Sequence, residues 1–119
     1  MERLVRRQDF IAAAKAVSQG TPGFLLQARN RGDAGKARVG FTCSKKLGNA
    51  VTRNRIKRRL REAVRLSMEP VAHASFDYVL IGRSAAENLG FEKLKADLIS
   101  AVTRLNAKAQ AATPKVELK

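Results

Sequence analysis

The 119-residue sequence has one cysteine, one histidine, three prolines and no tryptophan, and sets only 10 Asp+Glu against 24 Lys+Arg. Each scarcity excludes something. Cys43 alone allows no internal disulfide and no multi-cysteine zinc site, which is the cysteine usage of a reducing compartment. Its place in an apolar alternation reads as a small buried hydrophobe rather than a nucleophile. His73 alone cannot form the paired imidazoles of a protein ribonuclease, and its setting near Pro70 and Ser75 reads as a surface loop. The acids are scattered, with no Asp-x-Asp or Glu-x-x-His pattern, so a metal-dependent nuclease has no ligand set. The glycines form neither a GxGxxG sequence nor a GxxxxGK sequence followed by Ser or Thr. Apolar runs such as Val79-Leu80-Ile81 fall far short of the about 20 residues needed to span a membrane. The stretch 10–14 is interrupted by Lys15 too soon for a signal-peptide hydrophobic region, so a cytoplasmic location is expected.

What is present is charge of one sign on a chain able to fold. The formal net charge is +14, the sequence pI is near 11.2 and 45% of residues are hydrophobic. That length and apolar fraction suit one domain over residues 1–119 with a real core. A charge so one-sided repels itself in the folded state, so a polyanion is the natural counterweight: nucleic acid first, an anionic membrane second.

The pattern along the chain predicts an α+β fold in the order α-β-β-α-β-α, with a possible extra short strand. Leu4, Phe10, Ile11 and Val17 with neighbouring alanines suggest a first amphipathic helix over 9–18, with Asp9 suited to its first turn and Gly20 and Pro22 beyond its end. Residues 23–30 and 38–44 read as strands, the second with Val39, Phe41 and Cys43 on one face and Gly40, Thr42 and Ser44 on the other. Turn chemistry over 30–36 predicts that these two strands form an antiparallel hairpin. A helix over 51–68 carries Ile56, Leu60, Ala63 and Val64 as one stripe and ends at Pro70. Residues 77–83 are apolar almost without interruption, hence a central strand. A last helix spans 91–109, and residues 112–119 read as a loose tail.

The charge is concentrated. Residues 45–65 hold nine basic groups and a single acid, Glu62. On a helix, Arg53, Lys57 and Arg61 line one flank of the apolar stripe, while Arg55, Arg58, Arg59 and Glu62 cover the other side and back. Like charges four apart, as in Arg55 with Arg59 and Arg61 with Arg65, disfavour the helix, and Arg53 and Arg55 oppose its dipole. A helix loaded against its own electrostatics is explained by a partner that supplies negative charge, and arginine's planar fork suits phosphates and stacking on bases.

The segment Ser44-Lys45-Lys46-Leu47-Gly48-Asn49-Ala50-Val51-Thr52-Arg53-Asn54-Arg55-Ile56-Lys57-Arg58-Arg59-Leu60-Arg61-Glu62 resembles the hallmark of the bacterial ribonuclease P protein family, S-K-K-x-G-N-A-V-x-R-N-R-x-K-R-x-x-R-E. Flanking features agree: Arg3-Leu4, Asp9-Phe10, Arg38-Val39-Gly40, and Asp77-Tyr78-Val79 through Arg83, so the resemblance covers about residues 3–105. It implies an α-β sandwich like the second domain of ribosomal protein S5, with the basic helix in a left-handed βαβ crossover against the usual right-handed preference. It also implies a monomeric protein subunit that binds a large catalytic RNA, in a holoenzyme that removes the 5′ leader of precursor tRNA. Mg²⁺ held mainly by the RNA would do the chemistry, with no metal on the protein alone and no catalytic residue in it.

Carried over by position, Arg53, Asn54, Arg55, Lys57, Arg58 and Arg61 would contact the catalytic RNA. A cleft between the first helix and the sheet would hold the leader through Phe10, Gln27, Thr42, Ser44, Lys45 and Lys46. Phe10 reads equally as ordinary core packing. The sequence departs from the family pattern where some members have further aromatics, with Ala14 and Gln27 in their places, so leader stacking is expected to be thinner. A structural ribosomal protein or a general RNA chaperone of similar fold is the alternative, and an autonomous nuclease a third.

Overall fold

The structure, a computed structural model, describes residues 1–112, with side-chain surroundings through residue 110. Two seven-residue strands form the centre of its sheet. β3 (Phe24–Asn30) and β5 (Phe76–Gly82) run antiparallel, from Phe24 opposite Gly82 to Asn30 opposite Phe76. β4 (Arg38–Thr42) lies parallel to the other edge of β5. β2 (Val17–Gly20) flanks β3, and the two-residue β1 (Glu2–Arg3) flanks β4, giving the order β1-β4-β5-β3-β2. β1 pairs with Arg38 and Val39 only, so the rest of the β4 edge has no strand beside it among the described residues.

The central strand is where its continuous apolar run predicts it. The expected β3–β4 hairpin does not form, because β5 lies between the two strands. A strand apolar on both faces is most stable with pairing on both edges, and the turn after β3 bonds to the approach of β5 instead of closing a hairpin. Arg31 N–H donates to Ser75 O at 2.9 Å and Ser75 N–H to Gly35 O at 2.8 Å. The first helix, α1 (Arg7–Ala14), is shorter than expected, because the chain from Val17 becomes strand β2. The single extra strand anticipated is thus two, β1 and β2. The expected tail over 112–119 lies outside the described residues except for Ala112, which closes α3 (Phe91–Ala112).

Helix α2 (Ala50–Ser67) and α3 cover one face of the sheet. There Phe24, Leu26, Ala28, Tyr78 and Leu80 meet Ile56 and Leu60 of α2 and Leu94, Leu98 and Leu105 of α3, all buried. Each large apolar side chain buried in this way contributes about 1.5–3 kcal/mol relative to exposure. α1 covers the opposite face, where a smaller cluster joins Leu4, Ala13 and Val79 to the flanking Phe10 and Ile81. Helix α2 therefore connects the parallel neighbours β4 and β5 across the main core.

On the α1 side, the register sets Arg38, Asp77 and Arg29 in one row across three strands. Asp77 has no exposed surface. Its Oδ1 accepts from Arg31 Nη1 at 2.6 Å and Arg38 Nε at 2.7 Å, and its Oδ2 from Arg29 Nη2 and Arg38 Nη2, both at 2.8 Å. Burial alone would push this carboxyl up, but the hydrogen bonds from Arg38, Arg29 and Arg31 outweigh it and hold the group below the ordinary aspartate value. Such a group contributes stability that is full above its unfolded pKa and is lost as pH falls through the lower folded one. Asp77→Asn is expected to cost about 3–5 kcal/mol by removing the buried charge on which three part-buried guanidiniums converge. Urea denaturation as a function of pH checks both statements: wild-type stability should fall below about pH 4, and the variant should lack this contribution.

Candidate RNA interface

Helix α2 starts where its sequence has a backbone reason to start. Gly48 has φ 130°, a conformation that L side chains rarely adopt. Asn49 then caps the helix, its side-chain oxygen accepting the Thr52 N–H at 2.9 Å. The Gly-Asn pair inside the basic segment thus sets the start of the helix.

The basic side chains divide into two sets. Ile56, Leu60, Ala63, Val64 and Ser67 face inward, as the stripe predicts for its four apolar members. Arg59, which sequence reasoning counted only as charge, is structural: Nε donates to Ala86 O at 2.9 Å, Nη2 to Leu89 O, and the guanidinium lies 6.0 Å from the Phe91 ring. The sequence signal for this was its position three residues after the buried Ile56, on the flank of the apolar stripe. Arg55 pairs with Glu87 at 2.7 Å, Arg53 Nε donates to Gly48 O at 3.3 Å, and Arg65 pairs with Glu62. Asn54, Lys57, Arg58 and Arg61 make no hydrogen bond or ion pair with a described residue. The Arg61 guanidinium lies 6.0 Å from the Phe41 ring. Of the six residues expected on this surface, four are therefore uncommitted and two have partial internal partners.

A groove of about 870 Å³ runs along the β4 edge, walled by residues 1–5, Phe10, Val39, Gly40, Phe41, Lys57 and Arg61. It brings Phe10, expected in the leader cleft, together with Lys57 and Arg61, expected on the catalytic-RNA surface. Phe10 also packs on Val79 and Leu4, so it belongs to the smaller core and to the groove wall at once. Its ring lies against Gly40: a Cβ there would sit 2.5 Å from Phe10 Cζ. Across the same sheet face, Gly40, Val79, Gln27 and Ser18 form one row, and Thr42, Ile81 and Leu25 the next. Gln27 is buried and Thr42 exposed, and neither lines the groove. Ser44 precedes, and Lys45 and Lys46 begin, an exposed 3-10 turn (Lys45–Leu47) leading into α2.

The remaining reactive groups stand apart. Cys43 is half-buried, its sulfur within 2.9 Å of where a Cβ on Gly82 would lie, and burial pushes its thiol pKa up. His73 is exposed in its loop, stacked 4.5 Å from the Phe76 ring centroid. The loop is tied to α3 by Tyr78, whose hydroxyl accepts the His73 N–H and donates to Asn106, and whose pKa is pushed up to about 12, chiefly by burial. Among the described residues there is no group of three side chains able to hold a metal ion, and no helix long and apolar enough to cross a membrane.

Comparison with known proteins is consistent across sequence and structure. The family model described as Ribonuclease P matches residues 1–106. A Ribonuclease P protein component from Ruegeria pomeroyi is 53% identical over 108 residues, covering 87% of this chain and 86% of the relative. One from Gluconacetobacter diazotrophicus is 45% identical, covering 81% and 84%. Among solved structures, the RNase P protein of Thermotoga maritima superposes with a TM-score of 0.73 at 29% identity, covering 87% of this chain and 97% of that one. That of Staphylococcus aureus gives 0.72 at 27%, covering 91% and 98%.

The division of the arginines is open to direct measurement. Arg59→Ala should lower unfolding free energy by about 1–3 kcal/mol, because it strips two carbonyls of a charged donor. Arg58→Ala, one residue away, should stay within about 0.5 kcal/mol of wild type. Chemical denaturation of the two variants is the check.

Proposed function

The chain belongs to the bacterial ribonuclease P protein family, the protein subunit of an RNA-based endoribonuclease that matures the 5′ end of tRNA, and from that premise we propose how its surface is used. The outer face of α2 binds the catalytic RNA through Asn54, Lys57, Arg58 and Arg61. The observation that carries this reading is that these four side chains make no hydrogen bond or ion pair with a described residue, while Arg59, beside them, is fully committed. Arg53 and Arg55 join by exchanging internal partners for phosphates. The pair that the half-exposed Arg55 gives up, with Glu87, is worth only about 0–1 kcal/mol.

The groove beside β4 and the sheet face under α1 hold the single-stranded leader of precursor tRNA. Phe10 offers a stacking surface, worth about 1–3 kcal/mol per base, and Thr42, Ser44 and Gln27 offer hydrogen bonds. Lys45, Lys46, Lys57 and Arg61 supply phosphate contacts. Mg²⁺ ions held by the RNA perform the hydrolysis, and the protein's charge lowers the repulsion between the two RNAs that those ions otherwise have to screen. A general RNA chaperone would instead bind unrelated RNAs alike.

Cleavage of precursor tRNA by the catalytic RNA, with and without this protein across a magnesium titration, tests the function. The protein should lower the magnesium requirement, and an unchanged requirement would sink the proposal. Replacing both Arg58 and Arg61 by alanine should reduce the slope of log affinity against log salt by about 0.7–0.9 for each phosphate that is no longer neutralised. Filter binding to the catalytic RNA over a salt series measures that slope.

A further inference from the structure

Helix α1 is poorly equipped to hold its own position by apolar contact. Of its eight residues only Asp9 and Ala13 are buried, and Ile11 is exposed. Beside the packing of Ala13 and Phe10, the carboxylate of Asp9 fixes it. Oδ1 accepts from Arg29 Nη2 at 3.0 Å and Oδ2 faces Arg38 Nη2 at 3.4 Å. Both guanidiniums are themselves fixed by the fully buried Asp77. Asp9 therefore ties the first turn of α1 to a rigid point on the sheet, and Phe10, the next residue, lies against Gly40 one row away.

We infer that Asp9 is a positioning residue for the leader site: its two ion pairs set the height of α1 above the sheet and hold the Phe10 ring where its Cζ and Cε1 lie against Gly40 and the ring walls the groove. This rests on reading the groove as the leader site. Asp9 touches no RNA in this scheme and acts through Phe10. Loss of its charge leaves Arg29 and Arg38 with Asp77, releases α1 and blunts stacking, without touching the outer face of α2.

The experiment uses the reconstituted holoenzyme with precursor tRNA carrying or lacking the 5′ leader, and in parallel the affinity of each protein for the catalytic RNA. Wild type should bind the leader-bearing RNA more tightly; if it does not, the reading of the groove fails, whatever Asp9 does. Given that preference, Asp9→Asn should reduce it by about tenfold, the effect of unstacking one base. Asp9→Glu, which keeps the charge on a longer arm, should reduce it less. Affinity for the catalytic RNA should stay within about twofold, smaller than the effect of removing one RNA-binding side chain. The inference is overturned if either variant keeps the full leader preference, or if affinity for the catalytic RNA falls in step with it, the result expected of a merely structural role. Should Asp9→Asn not fold, the Asp9→Glu result decides alone.

Discussion

Three arginines converge on one buried carboxylate, and much of the molecule is arranged around that fact. Asp77 sits on the central strand with no exposed surface, bound by Arg29 of β3, Arg31 just beyond it and Arg38 of β4. A charge so placed is tolerated only when fully paired, so β3, β4 and β5 are held in the one register that brings all three guanidiniums to it. Asp9 then attaches the first helix to the same cluster. Part of the chain's positive charge is in this way neutralised internally. The surface charge that remains is correspondingly more concentrated on α2 and the turn before it.

That concentration explains an otherwise unfavourable helix. α2 carries arginines in its first turns and like charges at helical spacing, against both its dipole and its neighbours. Three local features compensate: the Asn49 cap, the buried stripe from Ile56 to Ser67, and the anchoring of Arg59 to the carbonyls that precede α3. The inward side holds the helix to the core. Its outward side is free to be shaped for phosphate.

The helices and the central strand were legible because period and charge are local properties. The apolar stripe of α2 and the continuous run of β5 each announce their environment over a few residues. Strand pairing was not legible, because the turn residues between 30 and 36 specify a reversal and not a partner, and the hydrogen bonds from Arg31 and Ser75 that hand the chain to β5 are non-local. Val17–Gly20 escaped for a similar reason: four residues following an alanine run carry little helical or strand signal until β3 lies beside them. For the candidate site, the basic segment located α2 and placed all six residues expected to meet the catalytic RNA on that helix. The motif set Arg58 apart from Arg59, but the anchoring role of Arg59 was not legible, because it depends on Ala86 and Leu89, about thirty residues away in sequence. Nor could the motif show that Phe10, Lys57 and Arg61 share one groove, since residues 1–5 and β4 complete its wall.

The brevity of β1 has a consequence of its own. Because that strand stops after Arg3, the β4 edge beyond Val39 has no strand beside it among the described residues, an arrangement that in many sheets invites another chain to add itself. Here Lys57 and Arg61 stand beside that edge. A second copy docking edge to edge would bring two such cationic fringes together, at a cost in repulsion, whereas a phosphate-bearing strand relieves the same field on arrival. The opening in the sheet is therefore selective by sign: its cationic fringe disfavours a second such edge and favours a polyanion.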